Sequence, residues 1–196
     1  MNNQFDFKVS GFTFIRSAVE ASYPFRPALE SILPLCDEFV VNVGDSDDGT
    51  RELVESIVKD HPEVEWKIVH SVWDMSKRKG GLILSEQTNI ALKECTGDWC
   101  FYIQADEVVH ELDLPHIESA LKKANSDRDI NGVKLYWKHF GGSLYTYEAS
   151  VGHYNQEIRI IRNNQGIVSW GDAQSFRHDD ETPVKSLMAD ADIYHY

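Results

Sequence analysis

Short apolar runs alternate with helical patterns from Phe7 to Ala124, and this alternation limits the folds open to the chain more than any other feature. The stretches FKVSGFTFIRSA (7–18), EFVVNV (38–43), VEWKIVHSVW (64–73) and DWCFYIQA (98–105) read as strands. Between and after them come a short helix around Ala28–Leu33 closed by Pro34, TRELVESIVKD (50–60), GGLILSEQTNIALKEC (80–95) and LPHIESALKKA (114–124). Leu53, Val54, Ile57 and Val58 form one apolar stripe, and Asp48 or Thr50 can cap that helix. Ile117, Ala120, Leu121 and Ala124 form another, with Pro115 in the first turn. Strands that are apolar throughout, rather than alternating, are covered on both faces. The strand–helix order therefore predicts an α/β fold with a mainly parallel central sheet and helices on both faces.

After Asn131 the pattern changes. GVKLYWKHFGG (132–142), EIRIIRN (157–163) and IVSWG (167–171) look like strands with little helix, a mixed or antiparallel extension of the same core. IYHY at 193–196 reads as an edge strand with a packed histidine, unless that histidine has a chemical role. The chain has 196 residues, no internal repeat and no linker, so one domain over 1–196 is expected. Its halves run over about 7–125 and about 126–196.

The net charge of −13 argues against a nucleic-acid partner, which needs a basic face. It leaves room for a nucleotide held through a divalent cation. No apolar run matches a membrane span, and MNNQFDFKVSGF lacks the cationic start and apolar stretch of a signal peptide, so a cytoplasmic location is expected. The three cysteines, Cys36, Cys95 and Cys100, have no CxxC spacing and read as buried thiols.

In an open α/β sheet, ligands bind beyond the C-terminal ends of the strands. Two acidic loops fall there. VGDSDDGT offers Asp45, Ser46, Asp47, Asp48, two glycines and a following helix N-terminus, which suit a phosphate or ribose. The same residues suit plain turn and capping chemistry. QADEVVH offers Asp106 and Glu107, which can face a hard cation such as Mg²⁺ or Mn²⁺; the other reading is a solvated acidic turn. Both loops lie on one edge of the sheet, and together they make a crevice suited to a metal-bridged nucleotide.

The chain resembles glycosyltransferase family 2, with the GT-A fold, and a bacterial subgroup of it in particular. VVNVGDSDDGT looks like the family's strand and S-x-D-G-T loop, and EQTNIALKECTGDWCFYIQADE looks like its helix, motif strand and D-x-D. EIRIIRN, WGDAQSFR and DADIYHY are similar to distal segments of that subgroup. The resemblance implies transfer of a sugar from a nucleotide-sugar donor to a glycan or lipid-linked acceptor, usually with inversion, with a peripheral membrane contact as one route to the acceptor. Asp106 matches the last acid of the D-x-D, at Mg²⁺ or Mn²⁺ and the diphosphate. Asp48 matches the acid before the Gly-Thr, and Asn89 an Asn in the preceding helix. Three positions depart from the family: Val43 replaces an Asp at the base, with Asp45 two residues later; Thr88 replaces an Arg, with Arg78 and Lys79 as substitutes; Gln104 replaces the first acid of the D-x-D. Gln104 can meet a ribose hydroxyl but brings no charge, so Glu107 and a late histidine, His195, are candidate metal ligands. Members of the family usually run on past the position of Tyr196.

Inverting transfer needs a carboxylate base at the acceptor hydroxyl. Asp172 is the first candidate, against a Gly-Asp turn role; Glu157, Asp179 and Asp180 are rivals. Arg177 and His178 can meet acceptor or diphosphate, or simply be paired. The aromatics of LYWKHF and SLYTYEASVGHY can line an acceptor site or the core. Two other functions remain open: a GT-A-like domain that binds without catalysis, motivated by Val43 and Gln104, and a nucleotidyltransferase, which needs a glycine-rich basic N-terminal loop that SGFTFIRSA does not supply.

Overall fold

A computed structural model describes residues 5–140 and 156–196. SLYTYEASVGHY lies outside the described residues. The strands are β1 (Val9–Ile15), β2 (Glu38–Gly44), β3 (Glu65–Ser71), β4 (Trp99–Tyr102), β5 (Glu107–Val109), β6 (Gly132–His139), β7 (Gln156–Arg162), β8 (Ile167–Trp170), β9 (Ser175–His178) and β10 (Ser186–His195). The helices are α1 (Phe25–Ile32), α2 (Thr50–Asp60), α3 (Leu82–Leu92) and α4 (Leu114–Ser126).

Eight strands make one sheet in the order β3-β2-β1-β4-β7-β6-β10-β5, and β8 and β9 form a separate hairpin. The first four strands run parallel. The expected mixed extension follows: β7 is antiparallel to β4 and β6, whereas β10 is parallel to β6. One expectation is corrected. IYHY is the end of β10, and β10 is not an edge, because the three-residue β5 pairs along its outer side. Ile193 faces Val109 in that pairing, and His195 faces Glu107, so the late histidine is brought to the acidic turn.

Side chains alternate across the sheet as the pleat requires. Phe39, Val41, Trp99 and Phe101 face one side and are covered by α1, α2 and α4 through Leu29, Ile57, Ile117 and Leu121. Phe12, Val40, Cys100 and Tyr102 face the other, under α3 through Ala91 and Leu92 and under the β8–β9 hairpin through Phe176. Burying both faces explains why these strands carry no polar alternation. Cys95 and Cys100 are buried free thiols and Cys36 is half-buried. No helix among the described residues is long and apolar enough to cross a membrane.

The edge formed by the N-terminal ends of β1 and β2 carries a buried polar knot. Glu38 accepts hydrogen bonds from Lys8 Nζ at 2.7 Å, from Thr96 N and Oγ1 at 2.6 Å each, and from Ser10 Oγ. It ties the β4 approach to β1 and β2, and leaves the opposite edge to the acidic loops.

Candidate active site

Parallel pairing brings the C-terminal ends of β1, β2 and β4 together, so Arg16, Asp45 and Gln104 follow three neighbouring strand tips. Arg16 Nε donates to the Asp45 carbonyl at 2.9 Å and lies 3.5 Å from its carboxylate; the Trp73 amide donates to the same carboxylate at 3.3 Å. The guanidinium also sits 5.5 Å from the Trp73 ring centre. Ser46 Oγ donates to the Gly44 carbonyl at 3.2 Å. Asp48 accepts from Thr50 N and Oγ1 at 3.1 and 2.6 Å and from Glu20 N at 2.8 Å. Burial is the largest single influence and opposes the Asp48 charge, but these donors together win and hold its pKa below the usual value. Arg16, Asp45, Ser46 and Asp48 surround a polar cavity of about 430 Å³.

The second loop is a tight turn. Glu107 N donates to the Gln104 carbonyl at 3.2 Å, and Gln104 N donates to the Glu107 carboxylate at 3.1 Å. Asp106 is thereby presented outward. Its carboxylate lies 3.4 Å from His195 Nε2, and its carbonyl accepts from Tyr196 N at 2.9 Å. His195 Nδ1 meets His139 Nδ1 at 2.7 Å, and Trp137 packs on both imidazoles.

Glu107 goes the other way, which corrects its reading as a metal ligand. It is fully buried, and Arg159 reaches it from β7 with Nη2 at 2.6 Å and Nε at 3.0 and 3.2 Å. The Trp137 indole N–H adds a bond at 3.0 Å. Its oxygens are thus committed to a buried ion pair. Burial works against the Arg159 charge, but Glu107 outweighs it and raises the Arg159 pKa. Among the described residues no group of three His, Cys, Asp or Glu side chains is placed to hold a metal ion. Asp106 and His195 are the two expected ligands that do converge.

Asn89 is also corrected. Its Nδ2 donates to the Ser169 carbonyl at 2.9 Å and its Oδ1 accepts from Ser169 N at 2.8 Å, so it clamps α3 to β8 and faces away from the crevice. Thr88 is buried and bonds the Leu84 carbonyl. Arg177 is spent on Glu181, His178 on the Gln165 carbonyl, and Asp180 on Thr182, all around the hairpin. Arg78 and Lys79 are exposed on the segment before α3.

Gln104 Nε2 donates to the Ala173 carbonyl at 3.1 Å, which binds the turn after β4 to the turn bearing Asp172. Two cavities meet at that junction. One, about 270 Å³, is lined by Phe14, Arg16, Tyr23, Trp73 and Asp106; the other, about 380 Å³, by Trp137, Glu157, Arg159 and His195. Gln104 and Asp172 line both.

Trp137 belongs to the LYWKHF aromatics expected at an acceptor site or in the core, whereas Arg159 was not among the expected site residues. A lone cation inside the buried run IRII carries a signal, because a buried charge demands a partner; the sequence does not say that the partner is Glu107.

No family model matches the chain, and no curated protein matches it in sequence. Solved structures do match it in shape. A Pyrobaculum calidifontis mannosyltransferase, PcManGT, in complex with GDP-Man and Mn²⁺, superposes with a TM-score of 0.50 at 21% identity over 66% of this chain. S. aureus TarS 1-349 in complex with UDP-GlcNAc gives a TM-score of 0.51 at 18% identity over 69%. The fold is that of GT-A glycosyltransferases. The matched parts are only 35% and 36% of those two chains, so this chain spans about a third of each.

Proposed function

We propose that the protein is a glycosyltransferase that moves a sugar from a nucleotide-diphosphate donor to a glycan or lipid-linked acceptor, with inversion and with Mg²⁺ or Mn²⁺. One observation carries the reading: Asp172 and Gln104 form the wall shared by two cavities, one running to Asp106 and Arg16 and the other to Trp137. A transferase needs two substrates meeting at one carboxylate. The structural neighbours bound to GDP-Man with Mn²⁺ and to UDP-GlcNAc support the donor class.

On this reading the Asp45–Asp48 loop and Arg16 receive the nucleoside, and Gln104 bonds a donor hydroxyl. Asp106 and His195 would hold the cation, whose remaining ligands come from diphosphate and water; it supplies charge stabilisation for the departing diphosphate. Asp172 takes the proton from the acceptor hydroxyl. That oxygen forms a bond to the anomeric carbon from the side opposite the diphosphate, and the bond from that carbon to the phosphate oxygen breaks, its electron pair leaving with the nucleotide. The enzyme is cytoplasmic on this reading and meets a lipid-linked acceptor by peripheral contact with the membrane.

The test is thermal. A UDP- or GDP-sugar with Mn²⁺ raises the melting temperature, Asp106→Ala removes the shift, and Asp172→Asn keeps it while lowering turnover by about 10²–10⁴-fold. Absence of a shift with every nucleotide sugar and metal would sink the proposal. The commitment of Glu107 to Arg159 and of Gln104 to Ala173 favours one rival, a binding domain without catalysis. Donor binding with neither transfer nor donor hydrolysis would select it.

A further inference from the structure

We propose that the cavity between Trp137 and Asp172 seats the acceptor's terminal sugar and selects neutral or amine-bearing sugars over sugars carrying a carboxylate, with Glu157 as the selecting residue. The inference rests on the transferase reading, which is what makes this the acceptor's cavity. At about 380 Å³ it falls in the ordinary range for small-molecule sites, about 300–1,000 Å³. Trp137 offers a ring face held in place, since its N–H is bonded to Glu107 at 3.0 Å and its ring stacks on His139.

The charges lining the cavity do not balance. Arg159 brings a cation, but Glu107 neutralises it at 2.6 Å, and Nη1 donates to the carbonyls of Gln174 and Ile158 at 2.6 and 3.2 Å. His195 is engaged by Asp106 and His139. Two carboxylates remain, Glu157 and Asp172. Lys134 acts on Glu157 electrostatically from β6 but does not line the cavity. Glu157 is only 7% exposed, and burial raises its pKa against the pull of Arg159 and a single hydrogen bond from the Ser175 hydroxyl. A carboxylate so poorly hydrated gains most from a donor, a hydroxyl or an ammonium, and opposes a second anion. Among the described lining residues, with no divalent cation held at His195, no uncommitted cation is placed to receive a ligand carboxylate. An acidic sugar therefore meets repulsion, whereas hydroxyls and an amine meet acceptors.

The experiment titrates the full chain, by NMR at slightly acid pH, with the methyl glycosides of glucosamine, glucose and glucuronic acid, which share one ring. The expected order of affinity is amine, then neutral, then acid, with at least tenfold between the ends. Glu157→Gln narrows that spread to less than threefold; Asp172→Asn, on an exposed turn, narrows it in the same direction should the first variant fold poorly. The inference is overturned if the glucuronide binds as well as the glucoside, if none of the three binds, or if neither variant changes the spread. Nucleotide-sugar binding by the wild type is scored separately. A donor shift without the sugar ranking removes only the selectivity, and the ranking without any donor shift removes the transferase reading.

Discussion

Two buried acids show how much a single residue decides here. Glu107 is closed off by Arg159 and Trp137, and its remaining bond holds Gln104 N, so the ion pair fixes the turn that points Asp106 outward. Removing the cation alone leaves an uncompensated buried charge. Arg159→Met should therefore cost about 3–5 kcal/mol in denaturant unfolding, and the double variant Arg159→Met/Glu107→Leu should recover most of it, because an apolar pair carries no desolvation penalty. Equal losses in single and double variants would show that shape, not charge, is what the pair supplies. Glu38 at the opposite edge is a pH-dependent counterpart. Burial opposes its charge, but Lys8, Ser10 and Thr96 win and bring its pKa down to about 2 from 4.5. A pKa lowered on folding means stability that is present above the unfolded value and lost as pH falls through the window from 4.5 towards about 2. Discounted for the solvent around Lys8, the contribution is about 2 kcal/mol. Glu38→Gln should lose that amount at neutral pH and unfold with a shallower acid dependence than the wild type. Parallel acid curves for the two proteins would remove Glu38 from the account.

At the scale of elements, the entry to α3 sets the position of the Asp172 turn. Gly80 and Gly81 both have left-handed backbones, φ +72° and +71°, so any side chain costs about 1 kcal/mol at either. The two differ in surroundings. A Cβ at Gly80 meets nothing within 4 Å, whereas one at Gly81 would fall 2.7 Å from the Asp172 Cα. Gly81→Ala should therefore displace the Asp172 turn and, on the proposed transferase reading, lower turnover by about 10²-fold, with Gly80→Ala within a few fold of wild type. Equal effects on turnover would detach Asp172 from the chemistry. The paired glycines were visible in the sequence as a helix entrance, but their contact with residue 172 was not. The same division runs through the molecule. α2 spans the stretch its apolar stripe marks, because Val54 and Ile57 must be buried, but the expected side-chain cap is absent: Gly49 stands at the N-cap with a left-handed backbone, and Asp48 accepts from Thr50 N beside it. β5 was invisible, since three residues hold a strand only because β10 lies alongside. Glu107 and Asn89 were misread for a related reason: their partners stand 52 and 80 residues away, and spacing along the chain carries no word of them.

The whole molecule sets the electrostatic terms on which any ligand arrives. A nucleoside diphosphate is an anion, and the chain carries a net charge of −13. In the crevice, Arg16 is already shared with Asp45, and Asp47, Asp48 and Asp106 add acid around it. The long-range field therefore opposes the nucleotide, and on the proposed reading a divalent cation reverses the sign locally at Asp106. Salt distinguishes these contributions, because screening weakens exposed charges over about 10 Å at about 0.1 M and leaves short ligand contacts nearly intact. With chelator present, UDP or GDP should bind more tightly as NaCl rises from about 0.05 to about 0.3 M, since repulsion is what the salt removes. With Mn²⁺ present, the dependence should flatten or reverse, because the nucleotide then meets a positive centre. Calorimetric titration across that series measures both slopes. Metal-free binding that instead weakens steeply with salt would mean that the exposed Arg78 and Lys79 dominate the approach. The anion would then enter through a local basic rim against the field of the rest of the protein, and Asp106 would not be required for it to dock.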